Sequence, residues 1–437
     1  MSFFRRDSSA LAILTLAILM TARSALAEDT PQQGGPKFNA TLFHDAAISG
    51  VTAVTSVSGR GQNLTAVIVE LAGVVDPASV SSETFSVDSR NILSVRVTDT
   101  PDADAPSGPG RYVVINLDPA DPTAAVFAPG LDEAAQAVVH LNGTLSLADG
   151  TTLTPGEKGI ISTRTENLIV DEFQQFRFTD PETGLALTYN LFIPRNYDVG
   201  QSYPLVLFMH DAGVTGSNPL RTLEQGLGAV SFASPEDQAR HPAFVLAPQF
   251  PVVLTNDASQ TSVYVGMIPR LLKDLSRNYA LDPERIYATG QSGGCMTSIA
   301  LGVAHPDLFA GTLCVAGQWD PAVTAPLAGS NFWAVISQDD AKAYPGMTAI
   351  MDVLQANGAT VTRGTLDAKA PAQDTAAAIA AIRAEGEATG SHIYFTTFSK
   401  GSVLPPGDDS PGAGHVNTWV HAYDIPALRD WLLDQRH

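Results

Sequence analysis

The sequence predicts an all-β sandwich followed by an α/β domain with a mostly parallel sheet flanked by helices. Three observations carry this. Residues 38–165 hold short β-branched and apolar runs between turn formers, with no convincing helical period. From about residue 170, apolar strands alternate with helical patterns, as in a parallel sheet covered on both faces. The length, 437 residues, fits two or three domains at roughly 150 residues each.

The chain opens with Arg5 and Arg6, then the apolar run Ala10–Ala22, broken by Thr15 and Thr21, then Ala25-Leu26-Ala27 before Glu28-Asp29. A charged start, a short apolar centre and an A-x-A site make a secretory signal peptide over 1–27. The run is shorter than the roughly 20 residues a bilayer span needs. Export to the periplasm or medium is therefore expected, with no membrane span after cleavage. Removing 1–27 takes away Arg5, Arg6, Arg23 and Asp7, so the formal charge moves from −20 to −22.

In the first domain, set at 28–167, the runs Leu64–Leu71, Ile92–Val97, Tyr112–Leu117 and Ala137–Leu141 read as strands. Asp76-Pro77 and Ala148-Asp149-Gly150 supply turn chemistry. Regular short strands over this length predict a sandwich of immunoglobulin type, without the Cys…Trp…Cys pattern of true immunoglobulin domains.

In the second domain, set at 168–437, Leu187–Ile193, Pro204–Met209, Phe244–Ala247, Ile286–Ala288, Thr312–Ala316, Phe332–Ile336 and Ile393–Thr397 read as strands. Val263–Tyr279 reads as an amphipathic helix with Met267, Leu271, Leu272 and Leu275 on one face. Pro269 inside it kinks it or delays its start. Helices are also expected from Ser292 to about Val303, over Ala349–Ala356 and over Ile425–Asp434. The stretches Gly213–Ala229, Gln249–Thr261 and Thr362–Glu387 read as loops.

Composition narrows the function. Asp+Glu number 45 against 25 Lys+Arg, which argues against nucleic acid or an anionic surface as a partner, because phosphate contacts need basic side chains. Two cysteines, Cys295 and Cys314, cannot make a disulfide scaffold, and whether they bridge is left open. No H-E-x-x-H, C-x-x-C or phosphate-binding loop occurs, so no metal or cofactor is expected.

The chemistry falls at strand ends. Gly290-Gln291-Ser292-Gly293-Gly294 fits G-x-S-x-G, directly after the strand Ile286–Ala288 and at the start of a helix. That is the setting of a nucleophile elbow, which lifts Ser292 to a helix N-terminus. A Gly-rich turn with a capping serine is the plainer reading. A serine nucleophile needs a base, and the base needs an orienting acid. The strand Phe332–Ile336 runs into Ser337-Gln338-Asp339-Asp340, and either aspartate could serve. Among His392, His415, His421 and His437, His415 in Gly412-Ala413-Gly414-His415 is preferred, in a flexible loop before the last helical segment; His421 is the runner-up. Oxyanion donors are expected from the backbone of Gly293 and, in the loop Met209-His210-Asp211-Ala212-Gly213, of Ala212. His210 reads as structural. Trp319 reads equally as pocket lining or packing.

These residues look like the α/β-hydrolase superfamily. More narrowly, the chain resembles secreted bacterial esterases with an N-terminal Ig-like domain, a group often loosely called prolyl-oligopeptidase-like or PHB-depolymerase-like. The telling stretches are Phe208 to Gly213, Gly290 to Gly294, Asp340 to Gly346, and His415 with Trp419, His421, Tyr423 and Trp431. The resemblance implies a triad of Ser292, Asp340 and His415, and it selects Asp340 over Asp339. It departs at His210-Asp211 and at Ile336-Ser337, where many relatives have His-Gly. The expectation is a cofactor-free serine carboxylesterase acting on small, aryl or polymeric esters. A serine peptidase and an exported binding protein with an inactive hydrolase are the alternatives.

Overall fold

The computed structural model describes residues 47–408 and 410–437. The expected signal peptide lies outside these residues.

The N-terminal part contains β1 (Ile48–Ser58), β2 (Gly61–Val75), β3 (Phe85–Val87), β4 (Ile92–Thr98), β5 (Gly110–Leu117), β6 (Ala125–Ala128), β7 (Leu131–Asp132), β8 (Val138–Leu141), β9 (Leu145–Ser146), β10 (Thr152–Leu153), β11 (Ile160–Ile161) and β12 (Arg164–Asn167). The larger sheet runs β12-β1-β2-β5-β4, and the short hairpin β6–β7 hangs from β2. A smaller sheet runs β11-β8-β3. Val67, Val69 and Leu71 of β2 share a core with Val113 and Ile115 of β5, Phe85 and Val87 of β3, and Val139 of β8. The opposite face of β2, Ala66 and Ile68, is also buried, with Val54, Ala103 and Val114. Cover on both faces explains why β2 reads as a continuous apolar run rather than an alternating one.

The C-terminal part contains β13 (Gln174–Thr179), β14 (Ala186–Phe192), β15 (Tyr203–Met209), β16 (Phe244–Gln249), β17 (Leu281–Gln291), β18 (Gly311–Val315), β19 (Phe332–Ser337), β20 (Val361–Leu366) and β21 (Ile393–Phe398). Its helices are α1 (Arg221–Glu224), α2 (Leu227–Ala233), α3 (Pro235–Arg240), α4 (Ile268–Asn278), α5 (Gly293–Ala304), α6 (Ala343–Ala356), α7 (Ala372–Thr389), α8 (Ala413–Ala422) and α9 (Pro426–Leu433). The nine strands form one sheet, β13-β14-β16-β15-β17-β18-β19-β21-β20. β13 and β14 run antiparallel, and the pairs from β16 to β20 are parallel. This is the α/β-hydrolase arrangement. Along β15, Leu205, Leu207 and Met209 face α4, and Val206 and Phe208 face α2, α8 and α9. A third core joins α5 and α6 to β18, β19 and β21.

The strand order reverses at β15, which has β16 on one side and β17 on the other. Ligand crevices in open α/β sheets form at such switch points, beyond the carboxyl ends of the strands. The loops after β15 and β17 are the ones that carry Ala212 and Ser292.

Two expectations need correction. Thr362–Glu387 is not a loop: it holds most of β20 and of α7. α7 is rich in alanine and buries only Ile379, Ile382 and Gly386, so no apolar stripe marks it in sequence. β20 is a polar edge strand, Val-Thr-Arg-Gly-Thr-Leu, paired only to β21. Gly213–Ala229 likewise holds α1 and the start of α2. Pro269 delays its helix: a 3₁₀ turn over Val265–Met267 comes first, and α4 begins at Ile268. Cys295 and Cys314 form a disulfide with a Cα–Cα distance of 4.8 Å, joining the first turn of α5 to β18. Both are fully buried.

Candidate active site

Ser292 stands between β17 and α5 with φ 51° and ψ −116°. A non-glycine residue held there is strained, and the surrounding structure must enforce it. Two neighbours show how. A Cβ on Gly294 would lie 1.9 Å from the Met209 carbonyl oxygen, and one on Gly290 would lie 2.6 Å from the same atom. The two flanking glycines let the turn pass against the end of β15. The Ser292 N–H donates to the Val315 carbonyl at 2.9 Å, and its own carbonyl accepts from Met296 at 3.0 Å. The disulfide three residues on fixes the start of the helix to the neighbouring strand.

The Ser292 hydroxyl is 2.9 Å from Nε2 of His415, and Nδ1 of His415 is 2.5 Å from Oδ2 of Asp340. Asp340 is 3% exposed, so its charge has to be met by the protein. Its other oxygen accepts from the backbone N–H groups of Ala343, at 2.8 Å, and Lys342, at 3.1 Å. Burial pushes its carboxyl up, but the hydrogen bond and charge of His415 and these two N–H groups outweigh that. The result lies below the ordinary carboxylate value.

His415 is not in a loop, as the sequence suggested, but in the first turn of α8. Gly412 caps that helix with φ 92°. Gly414 lets it approach the acid loop, since a Cβ there would lie 2.5 Å from Cβ of Asp339. Asp339 has a separate structural role, its carboxylate accepting from the N–H of Gly401 at 2.6 Å. His421, the runner-up, lies along the same helix with its ring against Phe398. His392 pairs with Asn331. Trp319 is buried in the α5–α6 core and is a packing residue.

The loop after β15 is braced from several sides. His210 is 3% exposed. Its Nδ1 bonds to the Asp211 carbonyl at 2.7 Å, and its Nε2 accepts from the Phe250 N–H at 3.0 Å. Those roles require the neutral ring, which burial also favours by pushing its pKa down. Asp211 caps the 3₁₀ turn Ala212–Val214 by accepting from Gly213 N–H at 2.6 Å. Its second oxygen accepts from Nε2 of Gln291 at 2.9 Å. The residue before the serine thus ties the two strand-end loops together. Gly293 opens α5, so its N–H has no intrahelical acceptor. A Cβ on Gly293 would be 3.7 Å from the Ala212 nitrogen. Gly293 and Ala212 are therefore neighbours beside Ser292. Thr255 adds a contact that no motif announced, donating to the Gly293 carbonyl at 3.1 Å.

Two cavities meet at Ser292 and His415. One of about 330 Å³ is lined by Met296, Gln318, Asp340 and Lys342, with Lys342 paired to Asp257 across its mouth. The other, about 710 Å³, lies between the sandwich and the α/β part. Nothing local in the sequence signals the second, because much of its lining comes from residues 59–132. Among the described residues, no group of three or more His, Cys, Asp or Glu side chains could hold a metal ion. No described helix is long and apolar enough to cross a membrane.

The fold is an α/β-hydrolase arrangement preceded by a β-rich Ig-like domain. Comparison with known proteins gives partial matches. Residues 50–158 match the family model described as the esterase Ig-like N-terminal domain, and residues 270–400 match the prolyl oligopeptidase family. A poly(3-hydroxybutyrate) depolymerase of Ralstonia pickettii is 30% identical over 224 residues, 48% of this chain and 44% of that protein. A poly(3-hydroxyalkanoate) depolymerase C of Paucimonas lemoignei is 34% identical over 50 residues, 11% of this chain and 12% of that protein. The chain therefore spans less than half the length of the curated relatives it matches. The crystal structure of a thermostable esterase superimposes with a TM-score of 0.76 at 24% identity, covering 89% of this chain and all of that one.

Proposed function

We propose that this protein is an exported serine carboxylesterase that hydrolyses carboxylic esters through an acyl-enzyme. Ser292 attacks the ester carbonyl. His415 takes its proton at Nε2 and returns it to the leaving alcohol. Asp340 holds the imidazole with Nδ1 protonated and stabilises the imidazolium that forms. The N–H groups of Gly293 and Ala212 receive the tetrahedral oxyanion. Water, activated by the same histidine, then releases the acid. The observation that carries this reading is the continuous Asp340–His415–Ser292 hydrogen-bond relay, ending on a serine in strained backbone.

Export rests on the charged, apolar and A-x-A segments of residues 1–27. The polyester depolymerases among the relatives favour ester over amide substrates, and the prolyl oligopeptidase match keeps a peptidase reading in the test. The test is hydrolysis of p-nitrophenyl esters beside aminoacyl p-nitroanilides, with Ser292→Ala as the blank. Ester turnover lost in that variant, with silent anilides, is the expected result. Anilide cleavage would move the assignment to a peptidase. Fluorophosphonate labelling is expected to vanish in Ser292→Ala, and labelling that survives there would overturn the nucleophile assignment.

A further inference from the structure

We propose that the β6–β7 hairpin of the sandwich is the outer wall of the ester-binding cleft and sets the size of the apolar group an ester can carry. This rests on the esterase reading above and adds to it a determinant of specificity outside the α/β part.

The larger cavity is bounded on one side by the serine, the histidine and the loop after β15, and on the other by the hairpin and the β1–β2 turn. Its apolar lining comes from Phe127 and Leu131 of the hairpin and from Val214, Val416, Trp419 and Val420. At about 710 Å³ it lies in the range of cavities that enclose sizeable organic ligands, and it is more than twice the other cavity. An acetyl group would leave it largely empty. A longer acyl chain or an aryl alcohol would fill it and gain the burial of apolar surface.

A wall is useful only if it stays in place, and the hairpin is pinned. Arg221 of α1 reaches across to pair with Asp132, and its guanidinium lies 4.2 Å from the centroid of the Phe127 ring. The other side of the guanidinium is held by Glu224, whose side chain is 7% exposed. The planar, delocalised arginine can serve carboxylate and ring together, which a lysine ammonium cannot. Leu131 itself is half-buried and lies outside the sandwich core, so its side chain can be changed without opening that core.

The test uses two full-length variants that change the cavity in opposite senses, Leu131→Trp and Leu131→Ala. Two ratios of kcat/KM are read: p-nitrophenyl octanoate over acetate for the acyl half, and 1-naphthyl acetate over phenyl acetate for the alcohol half. In Leu131→Trp at least one ratio is expected to fall tenfold or more, and the ratio that falls names the half housed there. In Leu131→Ala that same ratio is expected to hold or rise. The proposal is overturned if neither ratio falls in Leu131→Trp, or if the fall is matched in Leu131→Ala. Failure of the esterase reading is distinct: the parent chain would turn over none of the four esters, or Ser292→Ala would retain the activity.

Discussion

Asp340 shows how much a single atom decides. Its Oδ2 accepts from Nδ1 of His415, and its Oδ1 accepts from two backbone N–H groups. In Asp340→Asn the backbone donors would keep the amide oxygen, and the amide nitrogen would face the ring. Nδ1 would then have to accept, Nε2 would carry the proton, and Ser292 would lose its base. The expected loss in kcat is about 10³–10⁴-fold with KM little changed, as for other triads that lose this tautomer control. Steady-state kinetics on p-nitrophenyl acetate would check it. Gly294→Ala tests the elbow instead. Its methyl would meet a backbone carbonyl that cannot swing aside, so a soluble, thermally cooperative Gly294→Ala protein with parental activity would contradict the packing described. At this scale the residues of the hydrogen-bonded relay could be picked out from sequence. Ser292 comes from one pentapeptide, and His415 from its place after the acid. Asp340 over Asp339 needed a likeness to other proteins, because adjacent carboxylates differ only in where the loop turns them. The tie of Asp211 to Gln291 was not legible, since it joins residues 80 positions apart.

The elements explain why some structure was hidden. α8 is entered through Gly-Ala-Gly, a pattern that reads as flexible chain, yet each glycine has a local cause: Gly412 takes a positive φ and Gly414 makes room for Asp339. The inner strands of the sheet are rich in apolar residues and were readable, and β13, β20 and α7 were not, because they bury too little to leave a period. Two predictions belong here. The β1–β2 turn touches α8 at Gly59, where a Cβ would lie 2.7 Å from the Val420 carbonyl. Gly59→Val should displace the helix that carries His415 and lower kcat at least tenfold in a protein with parental circular dichroism. Unchanged kcat would mean that α8 does not depend on that contact. The disulfide closes a loop across 19 positions, so its removal as Cys295→Ala with Cys314→Ala should cost about 3 kcal/mol of stability, read from the urea midpoint.

Across the whole molecule, an acidic surface surrounds a few carboxylates tied to specific partners. Asp180, directly after β13, bonds to Arg270 of α4 at 2.5 and 2.9 Å and to the Thr183 hydroxyl at 2.6 Å. First the Arg270 hydrogen bond, and then those from Thr183, hold its carboxyl well below the ordinary value, against the opposing effect of burial. A depressed folded value stabilises the protein above the unfolded value of about 3.9 and is lost as pH falls through the folded one. Asp340 acts in the same sense. Denaturant midpoints should therefore hold from pH 7 to 5 and fall below about pH 4. Arg270→Met should be less stable at pH 7 and lose less between pH 4 and 2; an unchanged acid limb would show that this pair does not set it. The contact of Gly59 with Val420 has a further consequence, in the order of synthesis. The ribosome makes the β1–β2 turn long before α8, and N-terminal units generally fold first. The helix that carries His415 emerges against a surface already formed, so the nascent chain holds no assembled relay until that helix docks.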